Sequence, residues 1–252
     1  MMKQILLITD GGSNVGDSPV VAAAQAYAEG ITVNVAGIVD EGTIGEYGAK
    51  EIEEIANAGG GISRIVSSGQ LSRTVQMMTR QTVAGTIRQA VNQELKQLFG
   101  VENVGALPPA KRAEVVKVME EMEETHSLSV ALLIDASASM KPKLRAVEEA
   151  IRDLTLSLQA REGRSKVSVF HFPGNAQNDV CVLDMDWTES AAKIGSLFGR
   201  IRMQGTTPTG PALAQVVGYI RETCGKIRSE QTDVQQASAR SESNGVRSDY
   251  VV

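Results

Sequence analysis

Residues 129 to 140, SVALLIDASASM, constrain the fold of this chain more than any other stretch. Val130 to Ile134 is an unbroken apolar run rich in branched side chains, the pattern of a parallel strand buried on both faces. Asp135 then falls at the strand's carboxyl end. Beyond it, Ser137 and Ser139 alternate with Ala136 and Ala138, so one carboxylate and two hydroxyls can converge while small side chains let backbone pack close behind them. Hard oxygen donors of this kind suit Mg²⁺ or Mn²⁺ and suit zinc poorly. The same residues also read as the N-cap of a helix over Lys143 to Gln159, which a strand-to-helix turn needs in any case. On these residues alone both readings stand.

The chain opens on a second pattern of the same type. Gln4 to Thr9 is a buried-strand pattern closed by Asp10, followed by the turn Gly11 to Gly16 and an Ala-rich helix, Pro19 to Glu29, with proline in its first turn. Gly11, Gly16 and Ser18 match the spacing of a phosphate loop, except that Asp17 stands where a lysine belongs. An acid there repels phosphate, whereas Asp10 above a glycine turn suits a cation. Strand Ile31 to Val39, helix Ala49 to Ala58, a stop at Gly59 to Gly61, strand Ile62 to Val66 and a helix from Ser68 carrying Val75, Met77 and Met78 continue a βαβαβ rhythm. That rhythm predicts a parallel sheet with right-handed crossovers.

The rhythm then breaks. From Gln81 to Phe99, Val83, Ile87, Val91, Leu95 and Leu98 recur at three and four residues, which predicts an amphipathic helix. After a break over Gly100 to Ala106, a second helix begins at Pro108-Pro109 with Val115, Val116, Val118 and Met122 on its face. These two helices are expected to pair, with Glu120, Glu121, Glu123 and Glu124 as a solvated face. Downstream of SVALLIDASASM, Lys166 to Phe172 reads as a strand and Cys181 to Met185 as an antiparallel edge strand. Ser190 to Arg200 reads as a helix, Gln204 to Gly210 as a hydroxyl-rich hinge, and Pro211 to Thr223 as another helix. His171, in register with buried strand positions, reads as structural. Arg228 to Val252 carries too few apolar residues to offset ordering entropy and is expected to be disordered.

Composition excludes several classes of function. A chain of 252 residues, 42% hydrophobic, can bury one sizeable α/β core. The formal charge of -5 and the lack of any Lys/Arg run argue against nucleic acid as a partner. Cys181 and Cys224 have neither a disulfide framework nor metal-ligand spacing, so both are expected to be reduced thiols of a cytoplasmic protein. No apolar run approaches the ~20 residues of a membrane span, so no membrane role is expected.

DASAS at the end of a strand, followed by GTTPTGPAL, resembles the first half of a von Willebrand factor type A (VWA) domain, whose metal site has the form DxSxS, then Thr, then Asp. LLITDGGSNVG, GITVNVAGIVDEG and EIEEIANAGGG resemble the second half. The halves stand in reversed order, so the chain resembles a circularly permuted member. The resemblance covers about residues 3 to 75 and 128 to 225. It divides the chain into residues 1–80 as the second half, 81–127 as a helical insert, 128–227 as the first half and 228–252 as a tail. It implies a doubly wound, mostly parallel six-stranded sheet of Rossmann-like VWA type. From one edge the expected order is Cys181 to Met185, Lys166 to Phe172, Ser129 to Asp135, Gln4 to Asp10, Ile31 to Ile38 and Ile62 to Val66. It makes Ser137, Ser139 and Thr207 hydroxyl ligands of Mg²⁺ (or Mn²⁺), with Asp135 and Asp10 holding waters or binding directly and Thr206 as the alternative to Thr207. Two adjacent central strands ending in aspartates also mark the switch point where ligands bind doubly wound sheets. In the family an open coordination position takes a carboxylate from a partner protein.

Three functions therefore compete: a non-enzymatic, metal-dependent module that binds an acidic residue of another protein, a Mg²⁺-dependent phosphatase-like hydrolase, and an interaction protein working through its helical insert. The hydrolase lacks a second acid two residues after Asp135, where Ser137 stands, and no general acid or lysine accompanies it in the sequence. The two halves are expected to close within one chain or to exchange in a homodimer.

Overall fold

Buried apolar strands must stack their backbone groups on one another, and here they form one six-stranded sheet. In chain order the strands are β1 (Met2–Thr9), β2 (Ile31–Ile38), β3 (Gly60–Val66), β4 (Leu128–Asp135), β5 (Ser165–Phe172) and β6 (Val182–Thr188). Across the sheet they run β3-β2-β1-β4-β5-β6, the order that the family resemblance implies. All neighbours are parallel except β6, which returns antiparallel beside β5. Every residue of β4 is buried, as its apolar run requires. The computed structural model describes residues 1–40, 45–174, 179–190, 192, 194, 197–203 and 205–224. The expected disordered tail therefore lies outside the described residues.

Side chains alternate across the sheet and supply a core on each face. Leu6, Ile8, Leu132, Ile134, Val167 and Val169 face helices α3 (Leu71–Phe99), α4 (Pro109–Thr125) and α5 (Leu144–Gln159). Ile5, Leu7, Ala131, Leu133, Phe170 and Phe172 face α1 (Pro19–Ala28), α2 (Glu46–Ala58) and α6, a helix over residues 209–224. The result is a doubly wound α/β sandwich of Rossmann-like type. No described helix is long and apolar enough to cross a membrane.

Several elements differ from their sequence-based bounds. The helices expected from Ser68 and from Gln81 are one continuous α3 preceded by a short 3-10 turn, Ser68–Gln70. No proline interrupts Leu71–Phe99, and a single Gly85 costs too little to end a helix of this length. The expected boundary between residues 80 and 81 thus falls inside a helix whose Val75, Met78, Val83 and Ile87 enter the same core, while Met77 is exposed. On α4 the packed side chain is Met119, flanked by half-buried Val115 and Met122; Val116 and Val118 point to solvent. The interval from 115 to 119 to 122 keeps one helix face, which Val116 and Val118 leave. Gly60 and Gly61 begin β3 rather than ending α2: a Cβ at Gly61 would stand 2.1 Å from the Val33 carbonyl oxygen, so only glycine lets the two strands approach. The antiparallel edge strand runs on to Thr188 and includes Trp187. Of the helix expected over Ser190 to Arg200, the described part holds a 3-10 turn, Phe198–Arg200.

Candidate metal centre

The centre of the sheet brings the two aspartate-ended strands side by side. The parallel register sets Ile8 opposite Ile134, so Thr9 and Asp10 leave β1 where Asp135 closes β4. Asp135 is fully buried; its Oδ2 accepts a 2.7 Å hydrogen bond from the Thr9 hydroxyl and its Oδ1 a 2.8 Å bond from the Ser137 backbone N–H. Among the described residues no Lys, Arg or His lies within ion-pairing distance of it. Burial pushes its carboxyl above the ordinary value of 3.8; hydrogen bonding from Thr9 and from the backbone and side chain of Ser137 pulls the other way, and the charge of Asp10 adds to the rise.

The two serines follow directly. Ser137 Oγ and Ser139 Oγ are 3.1 Å apart, and Ser139 Oγ donates to Asp10 Oδ1 at 2.9 Å. The chain after Ser137 forms a 3-10 segment, Ala138–Lys143, which contains Pro142, and α5 begins at Leu144, one residue later than the sequence suggests. Neither that segment nor α5 has a side-chain N-cap hydrogen bond, so the serines are not spent on capping. Asp10, Asp135, Ser137 and Ser139 thus form one connected polar cluster.

Thr207 is tied to the loop after β1 and, among the described residues, makes no hydrogen bond to this cluster. Its backbone N–H donates to Asn14 Oδ1 at 2.8 Å, and the Asn14 N–H donates back to its carbonyl at 3.2 Å. Thr207 is buried and Thr206 exposed, which points Thr207 inward from the loop. Among the described residues the Thr207 hydroxyl makes no hydrogen bond to the other four candidates. Close packing of glycines holds the two loops together: a Cβ on Gly210 would lie 1.9 Å from the Asp17 carbonyl oxygen, and Gly16, at φ +89°, abuts the Pro211 ring. Glu51 of α2 anchors the first loop by accepting from both N and Oγ of Ser13 at 2.5 Å. Gly210→Ala is accordingly expected to lower stability by about 1–3 kcal/mol through forced separation of the loops. It should also weaken any Mn²⁺ binding. Thermal unfolding with and without Mn²⁺ measures both, and a variant that melts like its parent would show the loops are not docked.

Three residues of the site are not evident in the sequence. Thr9 holds Asp135, Asn14 clamps Thr207, and Lys143 places its ammonium 2.6 Å from Asp10 Oδ2 with both side chains largely buried. Lys143 supplies the lysine that the sequence reading did not find at the site. Elsewhere, His171 is buried, as expected of a structural residue, with Nδ1 2.6 Å from Asp184 Oδ2. Cys181 and Cys224 are free and buried, and burial with the Asp184 charge pushes the Cys181 thiol up to about 12.

The donors fit a hard divalent cation. The cluster offers hydroxyls and two carboxylates, and Asp135 is a buried carboxylate without an ionic partner among the described residues, which is costly when ionised unless a cation compensates it. Among the described residues no three His, Cys, Asp or Glu side chains gather as a soft or polycarboxylate site would need.

Fold and site together define a doubly wound α/β protein with an acidic, hydroxyl-rich centre at its switch point. The chain belongs to the family of the uncharacterised protein YabS of Bacillus subtilis (strain 168), to which it is 46% identical over 231 residues, 91% of this chain and 92% of YabS. The crystal structure of an uncharacterised protein from Alicyclobacillus acidocaldarius is 42% identical and superposes with a TM-score of 0.83, over 90% of this chain and 96% of that one. Proximal thread matrix protein 1 of the mussel byssus overlaps only loosely, at a TM-score of 0.25 and 16% identity over 81% of this chain and 44% of that one. No family model matches the chain.

Proposed function

We propose that this protein is a metal-ion-dependent protein-binding module, built as a VWA domain with its halves interchanged. The observation that carries this reading is Asp135: a fully buried carboxylate at the switch point, without an ionic partner among the described residues and joined through Ser137 and Ser139 to a second carboxylate, Asp10. In this reading Ser137, Ser139 and Thr207 bind Mg²⁺ or Mn²⁺ through their hydroxyls, and Asp135 and Asp10 neutralise it directly or through water. The ion supplies a Lewis-acidic position open to the carboxylate of a partner protein. The sheet order supports the permuted reading, because joining the end of α6 to the start of β1 would give the strand order of a VWA domain in its usual chain order. Catalysis is not part of it: Ser137 stands where a phosphatase-like site carries its second acid, and Lys143 is engaged by Asp10.

Affinity capture on the immobilised protein tests the reading. Mg²⁺ should retain at least one protein that EDTA releases and that Asp135→Ala never retains. Identical sets of captured proteins in Mg²⁺, in EDTA and on the variant would overturn it.

A further inference from the structure

Each carboxylate oxygen of Asp10 already accepts one hydrogen bond. Ser139 Oγ donates to Oδ1 at 2.9 Å and Lys143 Nζ to Oδ2 at 2.6 Å, with the Lys143 and Asp10 side chains only 14% and 5% exposed. Ser139 and Lys143 lie four residues apart on the same 3-10 segment, so one short element delivers both groups to one carboxylate. The ammonium is therefore held within the site and is not a surface charge passing by. Charge counting gives its consequence. With Asp135 ionised, Asp10 and Asp135 contribute two negative charges and Lys143 one positive, which leaves the hydrogen-bonded cluster one charge short of neutrality; Asp40, whose carboxylate also feels Lys143, is held by Ser68 and is not part of it. A divalent ion turns that into a net charge of +1. Without Lys143, the same ion would make the site neutral.

We propose that Lys143 is a resident counter-ion that opposes divalent metal binding and makes the loaded site require an external anion. The ammonium repels an incoming cation and occupies an oxygen of Asp10, so metal alone binds weakly; a carboxylate from outside restores neutrality, so metal and anionic ligand bind together. Lys143 is a positioning and charge-setting residue. The inference rests on the metal-binding reading above and adds to it the coupling between the two ligands.

Mn²⁺ titration by calorimetry or by electron paramagnetic resonance tests this, in chloride and in acetate at one ionic strength. Lys143→Met is expected to bind Mn²⁺ in chloride about tenfold or more tightly than the parent, because a buried like charge a few ångströms away is removed. Acetate should tighten Mn²⁺ binding in the parent and have little effect in Lys143→Met. Lys143→Arg, which keeps the charge, should behave like the parent, an outcome that loss of packing would not produce. Lys143→Gln, able to hydrogen-bond Asp10, serves as a second neutral variant if the methionine variant does not fold. A folded neutral variant with parental or weaker Mn²⁺ affinity overturns the inference while the metal site stands. Absence of Mn²⁺ binding in the parent and in both neutral variants overturns the inference and the metal site together.

Discussion

Asp135→Asn is expected to abolish Mg²⁺ and Mn²⁺ binding and leave the fold intact. A divalent ion a few ångströms from a carboxylate at an effective dielectric of about 20 gains several kcal/mol, so losing this one charge should weaken affinity by about 100-fold or more. The fold survives because an amide satisfies the same surroundings. Its oxygen accepts from the Ser137 N–H, and its NH₂ donates to Thr9 Oγ1, which is free to donate instead to the Gly11 carbonyl 3.1 Å away. Asp135→Ala, the harsher form, leaves the buried Ser137 N–H without its acceptor and should lose metal binding with some stability.

The metal-free protein should show a pH signature as well. Burial raises the Asp135 carboxyl above its ordinary 3.8, so the folded chain holds this proton more tightly than the unfolded chain. The stabilisation is fully present below the unfolded value and is lost as pH rises through the higher folded value. Asp135→Asn removes that slope and in EDTA should be at least as stable as the parent at neutral pH. Calorimetry with Mn²⁺ and thermal unfolding in EDTA across pH check both parts; parental Mn²⁺ affinity in the folded variant would remove Asp135 from the site.

Replacing residues 81–124 with a Gly/Ser linker of equal length should remove most of the protein's stability. Val83, Ile87 and Met119 share one core with Leu6, Ile8 and Leu132, and Thr82 donates to the buried Asn34 side chain at 2.9 Å. Three buried apolar side chains at about 1.5–3 kcal/mol each amount to a large part of the about 5–15 kcal/mol that holds a typical domain together. The covalent link between the two halves would remain but carry no packing, which favours exchange of halves between chains. Urea unfolding and light scattering measure the two effects. A monomer as stable as its parent would make α3 and α4 an appended arm and favour the insert as the binding element. Leu98 and Phe99 of α3 and Val116 and Val118 of α4 are exposed.

The strands and the aspartates that close the β1 and β4 runs follow from the chain itself, because burial on both faces demands an unbroken apolar run and the first acid marks its end. The alternation of Ser137 and Ser139 with alanines is equally local, and it places two hydroxyls near Asp135 whatever surrounds them. The strand order came from resemblance rather than from periodicity, which is silent about which strands are neighbours. Helical phase is also shared with the neighbours: pattern alone did not separate Met119 from Val116 and Val118, because only the packed partner shows which side of α4 faces the core. The residues that complete the site were decided by tertiary structure. Thr9 meets Asp135 across 126 positions, Lys143 meets Asp10 across 133 and Thr207 meets Asn14 across 193. A hydrogen bond or an ion pair depends on distance in space, and at such separations the sequence fixes that distance only through the assembled sheet and the loops it brings together.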